Sequence, residues 1–434
     1  MSTKQRGVVR ELLAAVSARL LVLPVAAVAA IFTTRLINEA LGPQPFAIYS
    51  LVAGIPLLFS YADLGLGAAI ANAASTAKTD PVRFQAILRQ SLLISFSVAS
   101  LIATVSMLLG AAGLWPGLLG LSDPNLNAPI SLAIIVFGFS IPGGLGRSIL
   151  LGIGRYGPSV IIQGLTPVVS LGIVAVTLGF GAQTAGLVAV SSLGLFIDNW
   201  IGFILAAVSI PGTWTDYLRN SQRGAMGEVI RTAMPMIVLM AGGAVLFQSG
   251  RFVLSHISTL QQVAVYAALW TFFQPLLSVV QTAGFALWPR FAAARAAGHS
   301  PRGEFRTATL ISAMIGICAG LGLTGLGPLA VNLATAGKVE ADTLQCSVLG
   351  AVLVVQATLM PAGMVFTFPK GLWLQSITTW AAAAIVVGIG VWQSSNLGAV
   401  APMLGLLAGI TIGQAIPTIA AAAVFLNDRE SNDV

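Results

Sequence analysis

Long apolar segments follow one another through this chain and constrain its fold more than any other feature. The hydrocarbon core of a bilayer is about 30 Å thick, and a helix needs about 20 apolar residues to cross it. About twelve segments of the sequence reach that length, and the connections between them are short. They are residues 12–37, 46–70, 87–112, 129–152, 158–180, 186–209, 229–256, 263–290, 307–336, 343–366, 371–392 and 398–425. The sequence therefore predicts an all-α polytopic membrane protein without an inserted soluble domain.

The charge content points to the same class. Only 8% of the 434 residues are charged, whereas soluble domains carry about 25%, so lipid must cover part of the surface. The formal net charge of +7 could suggest a nucleic-acid partner. The basic residues, however, form short clusters between apolar segments, so we expect membrane lipids and no nucleic acid among the partners.

The distribution of Lys and Arg predicts the orientation. Sixteen of the 21 basic residues lie on the side of the predicted membrane that holds the N-terminus. Cytoplasmic connections carry such an excess, so both termini are expected in the cytoplasm, which requires an even number of spans. The first apolar segment, residues 12–37, is longer than the apolar region of a cleaved signal peptide and is predicted to be a retained span.

Reactive side chains are scarce. Cys318 and Cys346 lie within or at the edge of apolar segments and are predicted to be small buried hydrophobes. His256 and His299 are the two histidines of the sequence, and we find no Ser/His/Asp or Cys/His arrangement, no Walker motif and no metal-ligand spacing. We therefore expect neither an enzyme nor a protein with a metal or other cofactor.

The two halves of the chain resemble each other. Arg35 stands 14 residues before Tyr49, and Arg251 stands 15 residues before Tyr266, with similar residues around each tyrosine. Because six spans is an even number, two such halves insert with the same orientation, as a parallel repeat. The alternative is that any two apolar halves can be aligned. We predict two six-helix lobes, residues 1–217 and 218–434.

Residues 33–72 carry a family resemblance. The matching elements are Arg35, Leu41-Gly42, Phe46-Ala47-Ile48-Tyr49-Ser50-Leu51 and Asp63-Leu64-Gly65-Leu66-Gly67. This stretch resembles the start of bacterial polysaccharide flippases, including O-antigen flippases, of the multidrug/oligosaccharidyl-lipid/polysaccharide exporter superfamily. A weaker similarity covers residues 147–157. Between Arg35 and Leu41-Gly42 the chain departs from the family by inserting Ile37-Asn38-Glu39-Ala40.

The resemblance implies a fold and a function. The two lobes would surround a central cavity and work by alternating access in the bacterial inner membrane. The substrate would be an oligosaccharide on polyprenyl pyrophosphate, moved from the cytoplasmic to the outer leaflet, and a polysaccharide polymerase or glycosyltransferases could be partners. Two alternatives stay open, namely a drug or metabolite exporter of the same fold and a membrane-embedded glycosyltransferase or ligase.

Arginines within or near spans are candidates for binding the pyrophosphate. The planar guanidinium fork binds phosphate oxygens in pairs and keeps its charge when it is partly desolvated. Arg35 and Arg251, one in each half, are predicted at the cavity mouth, and the alternative is that they snorkel to the outer interface. Arg19 and Arg147 fall within spans, where charged residues usually face the interior of the helix bundle.

Acids and amides complete the set of candidates. Asp63 and Asp198 are candidate ion-coupling residues, and Asp63 is alternatively a structural partner of Arg19. Gln274 and Gln281 share one face of the eighth span, and Gln248 shares a face of the seventh span with Arg251. These faces could line the cavity or join neighbouring helices. Gly405, Gly409 and Gly413 form a stripe in the last span that predicts close helix packing.

Overall fold

The computed structural model describes residues 22, 24–59, 66–75, 77, 80–210, 225–285, 287, 291 and 302–432. These residues are almost entirely helical, and none of them lies in a β-strand. The predicted all-α class is thereby confirmed. Helices satisfy every backbone hydrogen bond within one segment, which is the requirement that hydrocarbon imposes on a spanning chain.

The described chain divides into two compact units. The N-terminal unit comprises Met1–Leu41 and Ile48–Ile237, and the C-terminal unit comprises Gly42–Ala47 and Val238–Val434. The predicted lobe boundary between residues 217 and 218 lies outside the described residues.

Before residue 211, the described residues form nine α-helices. They are α1 (residues 24–40), α2 (Pro43–Phe59), α3 (Leu66–Ser75), α4 (Pro81–Ala111), α5 (Trp115–Leu118), α6 (Asn127–Gly152), α7 (Tyr156–Gly179), α8 (Thr184–Val190) and α9 (Leu193–Ser209).

The later part of the chain continues in the same way. Its helices are α10 (Ala225–Ile257), α11 (Leu260–Phe285), α12 (Arg302–Ala334), α13 (Thr343–Val365), α14 (Pro369–Leu397), α15 (Val400–Ala408), a π-helical segment (Gly409–Ala415) and α16 (Ile416–Asn432).

Among the described residues, nine helical stretches are long and apolar enough to cross a membrane, and two shorter apolar helices, Pro43–Leu58 and Gly164–Gly179, accompany them. With α1, each of the twelve predicted spans is mostly helical over the residues that the structure describes. Several bounds differ from the prediction. The described residues of predicted span 46–70 belong to α2 and α3. Helix α4 begins at Pro81 because Asp80 caps it, accepting a hydrogen bond from the Arg83 backbone N–H at 3.0 Å.

Helix α14 indicates where the membrane boundaries lie. Trp373 and Trp392 are exposed near its two ends, with 46% and 74% of their surface accessible. At 1.5 Å per residue they lie about 28 Å apart along the axis, close to the thickness of a hydrocarbon core. Tryptophan is enriched at membrane–water interfaces, so this helix is the right length for a span bounded by two aromatic belts.

Glycines set the closest helix contacts in the C-terminal unit. A Cβ on Gly409 would lie 2.6 Å from the Ala382 carbonyl oxygen, and one on Gly413 would lie 2.6 Å from the Ala382 nitrogen. Gly405 approaches Val386 in the same way. The predicted stripe is therefore a close-packing surface between the last span and α14, as small residues provide in membrane helices.

Candidate functional site

A buried carboxylate lies in the middle of the last span of the N-terminal unit. Asp198 of α9 is fully buried, and the Thr166 hydroxyl of α7 donates a 2.5 Å hydrogen bond to its Oδ2. Its Oδ1 is also buried and accepts no hydrogen bond from the residues described. Burying an ionisable group within a span costs several kcal/mol, so its presence favours a functional role.

Glycines bring three helices close around this carboxylate. Gly194, one turn before Asp198, packs against Ser170 of α7, and Gly202, one turn after it, packs against Ile162. On α6, a Cβ added to Gly143 would lie 3.0 Å from the backbone of Asn199. The small residues on α6 and α9 thus place Asp198 at the meeting point of α6, α7 and α9.

Arg147 of α6 belongs to the same cluster. Its side chain is half-buried, runs past Gly202 of α9, and interacts electrostatically with Asp198. Next to the acid, Asn199 is 5% exposed and donates from Nδ2 to the Ser140 carbonyl at 3.0 Å. A cation, a carboxylate and polar groups from three helices therefore share one intramembrane region.

The C-terminal unit buries a second polar group between α10 and α11. Gln248 and Arg251 are 4% and 5% exposed, and Arg251 interacts electrostatically with Tyr266 of α11. The Tyr266 ring stacks on Trp270, with ring centroids 5.4 Å apart and planes 16° apart. Gly250 permits this approach, because a Cβ there would lie 2.6 Å from the Tyr266 hydroxyl oxygen.

Amide oxygens extend this second group along α11. Gln274 lies two turns beyond Tyr266 on the same helix face. The Oε1 atoms of Gln248 and Gln274 and the Nε1 of Trp270 are buried without a hydrogen-bond partner among the described residues. Gln281, two turns further on, is partly buried. Such polar atoms can receive a polar ligand or water.

The two arginines that match in sequence have different surroundings. Arg35 donates from Nε to Glu39 Oε1 at 2.8 Å, and both side chains are exposed, at 47% and 44%. Arg251 is buried and interacts electrostatically with Tyr266. Glu39 belongs to the insertion that departs from the family pattern, and it supplies Arg35 with a counter-ion one helical turn away.

The structure brings some predicted residues together and leaves others outside its description. Arg147 joins Asp198, and Gln248 lies one turn from Arg251 on α10. Arg19 and Asp63, with their predicted ion pair, lie outside the described residues.

Sequence reasoning missed Thr166, Tyr266 and Trp270 as members of these groups. The available signals were the Thr166-Pro167 step inside an apolar helix and the four-residue spacing of the two aromatic residues.

Comparison with protein families gives one match. A family described as "Polysaccharide biosynthesis protein" matches residues 8–295 of the chain. No curated protein matches the sequence significantly.

Solved structures of the same fold are transporters. An inward-facing multidrug resistance MATE family transporter of the MOP superfamily is 15% identical, with a TM-score of 0.76 over 97% of this chain and 99% of that one. An outward-facing structure of this kind is 16% identical, with a TM-score of 0.64 over 96% of each chain.

A third similar structure comes from Pyrococcus furiosus. It is a MOP-superfamily transporter whose reversed pocket polarity is described as suggesting a different function. It is 15% identical, with a TM-score of 0.61 over 95% of this chain and 94% of that one. At these identities the comparison establishes the fold, which is the two-lobe fold of MATE transporters, as predicted.

Proposed function

This chain belongs to the polysaccharide biosynthesis protein family, and from that premise we propose that it flips a polyprenyl-pyrophosphate-linked oligosaccharide from the cytoplasmic to the outer leaflet. It is a multi-pass membrane protein with a transporter fold. The family assignment supports a sugar-containing substrate. The transporter fold of the structural neighbours favours translocation over glycosyl transfer.

The physical problem explains the kind of residues needed. The prenyl chain can remain in lipid, whereas the pyrophosphate and the sugars require a polar path across about 30 Å of hydrocarbon. Arginines suit the pyrophosphate because they bind it bidentately. We assign this role to Arg35 and Arg251, with Arg19 and Arg147 as further candidates and Gln248, Gln274 and Gln281 as partners for the sugar hydroxyls.

The observation that best supports an active transport cycle is the burial of Asp198. A carboxylate that is fully buried in a span, held by Thr166 and close to Arg147, can gain or lose a cation as the lobes rearrange. We therefore propose that Asp198 couples flipping to a monovalent cation, either a proton or Na⁺. Asp63 remains a second candidate for the same role.

Reconstitution tests both parts of the proposal. Proteoliposomes would contain a prenyl-pyrophosphate oligosaccharide with a labelled sugar, and an added glycosidase would report how much label reaches the far leaflet. We expect transport that an imposed proton or Na⁺ gradient accelerates, and Asp198→Asn should remove that acceleration. Prenyl pyrophosphate without sugar serves as the control substrate.

Three outcomes would contradict all or part of the proposal. Movement of organic cations such as ethidium, with no movement of the glycolipid, would identify a drug exporter. Chemical alteration of the glycolipid by the purified protein would identify a transferase or ligase. Full gradient acceleration in Asp198→Asn would remove the coupling assignment and leave the substrate assignment intact.

A further inference from the structure

A second threonine-centred pair lies in the last span of the C-terminal unit. Gln414, in the π-helical segment, donates from Nε2 to the Thr379 Oγ1 of α14 at 2.9 Å. Thr379 is 2% exposed. The Gln414 Oε1 is buried without a hydrogen-bond partner among the described residues, as is the Oδ1 of Asp198. The two units thus hold a Thr–Asp pair and a Thr–Gln pair of similar construction.

The register shows that the two pairs occupy equivalent positions. Thr166 lies ten residues after the first residue of α7, and Thr379 lies ten residues after the first residue of α14. Asp198 and Gln414 lie fourteen residues after the first residues of α8 and α15. Under the predicted parallel repeat, equal offsets on corresponding helices place the pairs at corresponding depths.

Both spans depart from α-helical geometry close to the pair. In the N-terminal unit, a turn at Ser191 and Ser192 separates α8 from α9 before Asp198. In the C-terminal unit, the π-helical segment Gly409–Ala415 contains Gln414. Interruptions of this kind in helices often mark functional sites, and here one occurs in each half.

The charges differ between the two units. Arg147, which interacts with Asp198, lies twenty residues after the start of α6, and the same offset on α13 falls on Gly363. Residues 360–366 around that position carry no charge. At these two described positions, residues 414 and 363, the C-terminal unit therefore carries neither an acid nor a cation. Because the acid and the cation are both missing from these positions, neither charge is left uncompensated in the membrane.

We propose that the Thr379–Gln414 pair is a neutral copy of the Asp198 site, and that residue 414 determines whether the C-terminal unit also takes up a coupling cation. This inference rests on the proposed coupling role of Asp198. In this arrangement Asp198 is the coupling acid of the N-terminal unit, and Gln414, whose amide does not titrate, occupies the matching position of the C-terminal unit.

The chemistry of the substitution is favourable. Gln414→Glu replaces one NH₂ group by oxygen and preserves the length of the side chain. The Thr379 hydroxyl, which now accepts a hydrogen bond from the amide, can rotate and donate to the new carboxylate, as Thr166 does to Asp198. A protonated glutamic acid can instead donate to the same hydroxyl.

Few charged residues lie on the helices around the two pairs. On α6, α7, α8 and α9, Arg147 and Asp198 are the charged residues. The helices around the Thr379–Gln414 pair are α10, α13, α14, α15 and α16. Of these, α13 and α15 carry no charged residue. The charged residues of the others, apart from the exposed His256, are Glu228, Arg231, Arg251, Lys370, Asp428, Arg429 and Glu430.

The experiment compares four proteins in the reconstituted flipping assay, namely wild type, Asp198→Asn, Gln414→Glu and the double variant. We expect Asp198→Asn to lose gradient acceleration, Gln414→Glu to couple two cations per substrate where wild type couples one, and the double variant to regain acceleration. Proton release on a pH jump of the detergent-solubilised protein gives a readout independent of transport. Repeating the assay with a Na⁺ gradient identifies the cation.

A matched control uses Gln356→Glu, which adds a buried acid to α13 of the same unit outside the Thr379 pair. It should change neither the coupling ratio nor the response of Asp198→Asn. If Gln414→Glu does not fold, as judged by thermal melting, Gln414→Asp provides the shorter acid.

The results separate the two ideas. If Asp198→Asn loses acceleration and the double variant stays insensitive to the gradient, the C-terminal pair is not a coupling position and this inference fails alone. The same conclusion follows if Gln356→Glu rescues equally well. If Asp198→Asn retains full acceleration, the proposed coupling role itself is wrong.

Discussion

The Thr166 hydroxyl of α7 donates a hydrogen bond to Asp198 Oδ2 of α9, with 2.5 Å between the two oxygens, inside the membrane-spanning part of the N-terminal unit. Replacing Thr166 by Val keeps the shape and removes the donor. Leaving a buried acceptor without this bond should cost about 1–3 kcal/mol. We expect Thr166→Val to lower the melting temperature in detergent and to weaken gradient-driven transport.

The control for this variant lies on the same helix. Thr177 donates only to the Ile173 carbonyl of its own helix in the described contacts, at 2.7 Å. Thr177→Val should therefore cost less stability and leave transport unchanged. Equal effects of the two variants would show that the Thr166–Asp198 hydrogen bond has no special importance for stability or transport.

The exposed pair of Arg35 and Glu39 allows a substrate contact to be distinguished from a structural ion pair. An ion pair with both side chains nearly half exposed contributes about 0.2–1 kcal/mol, so neither Arg35→Gln nor Glu39→Gln should unfold the protein. If Arg35 binds pyrophosphate, Arg35→Gln should lose transport severely, whereas Glu39→Gln should retain or improve it. Arg35→Lys should recover only part, because it lacks the bidentate fork.

The measurement is the initial rate of flipping at equal amounts of reconstituted protein. Equal losses in Arg35→Gln and Glu39→Gln would indicate that the pair itself matters. Full activity in both would place Arg35 at the lipid interface, with no part in binding.

Local composition was sufficient to predict the helices, and it could not predict their contacts. Apolar length alone locates a span, so the described residues of each predicted segment are mostly helical. Helix α4 begins earlier than the predicted residue 87. Its start is set by the N-cap Asp80 and by Pro81, which a hydropathy profile does not take into account. The interruptions before Asp198 and around Gln414 likewise depend on helix packing that a span count does not include.

The candidate site was predictable as a set of residues and less so as an arrangement. Asp198 and Arg147 stood out because charge within a span is costly. Their proximity depends on the contacts of Gly143 and Gly202, which no single helix reveals. The different surroundings of Arg35 and Arg251 follow from Glu39 in one case and from the fold around Tyr266 in the other.

Gly413 provides a test of the close packing between the last span and α14. A Cβ at this position would lie 2.6 Å from the Ala382 nitrogen and 2.7 Å from its Cα, so backbone must move. Such overpacking typically costs about 1–3 kcal/mol. We expect Gly413→Ala to lower the melting temperature and, because Gln414 is the next residue, to disturb its bond to Thr379.

Gly388 is the matched control because it lies on α14 with nothing within 4 Å of the added Cβ. Alanine there should be neutral, or stabilising by about 0.5–1 kcal/mol, because it is the better helix former. If both variants melt like wild type, the contact at Gly413 does not limit the approach of the two helices.

The orientation in the membrane can be tested by cysteine labelling in intact cells. Thr259 and Glu340 are exposed in the connections after α10 and α12, which the basic-residue count places outside. Lys370 is exposed at the start of α14 on the predicted inner side. Gly337 lies in the same connection as Glu340, but its φ of +73° favours glycine, so Glu340 is the better position for a cysteine. We expect Glu340→Cys and Thr259→Cys to react with an impermeant maleimide, and Lys370→Cys to react only after permeabilisation.

Native thiols and the chain termini complete this test. The prediction of burial was wrong for Cys318, which is exposed, so the background should carry Cys318→Ala. Cys346 is fully buried, as predicted, and can remain. Cysteines at Ser2 and Asp433, both outside the described residues, should be protected in intact cells if both termini are cytoplasmic. Because an even number of spans puts the two termini on one side, labelling of one terminus alone would require an odd number of spans. Labelling of both termini together with protection of Glu340→Cys would invert the whole topology and place the basic clusters outside, against the rule that predicted them.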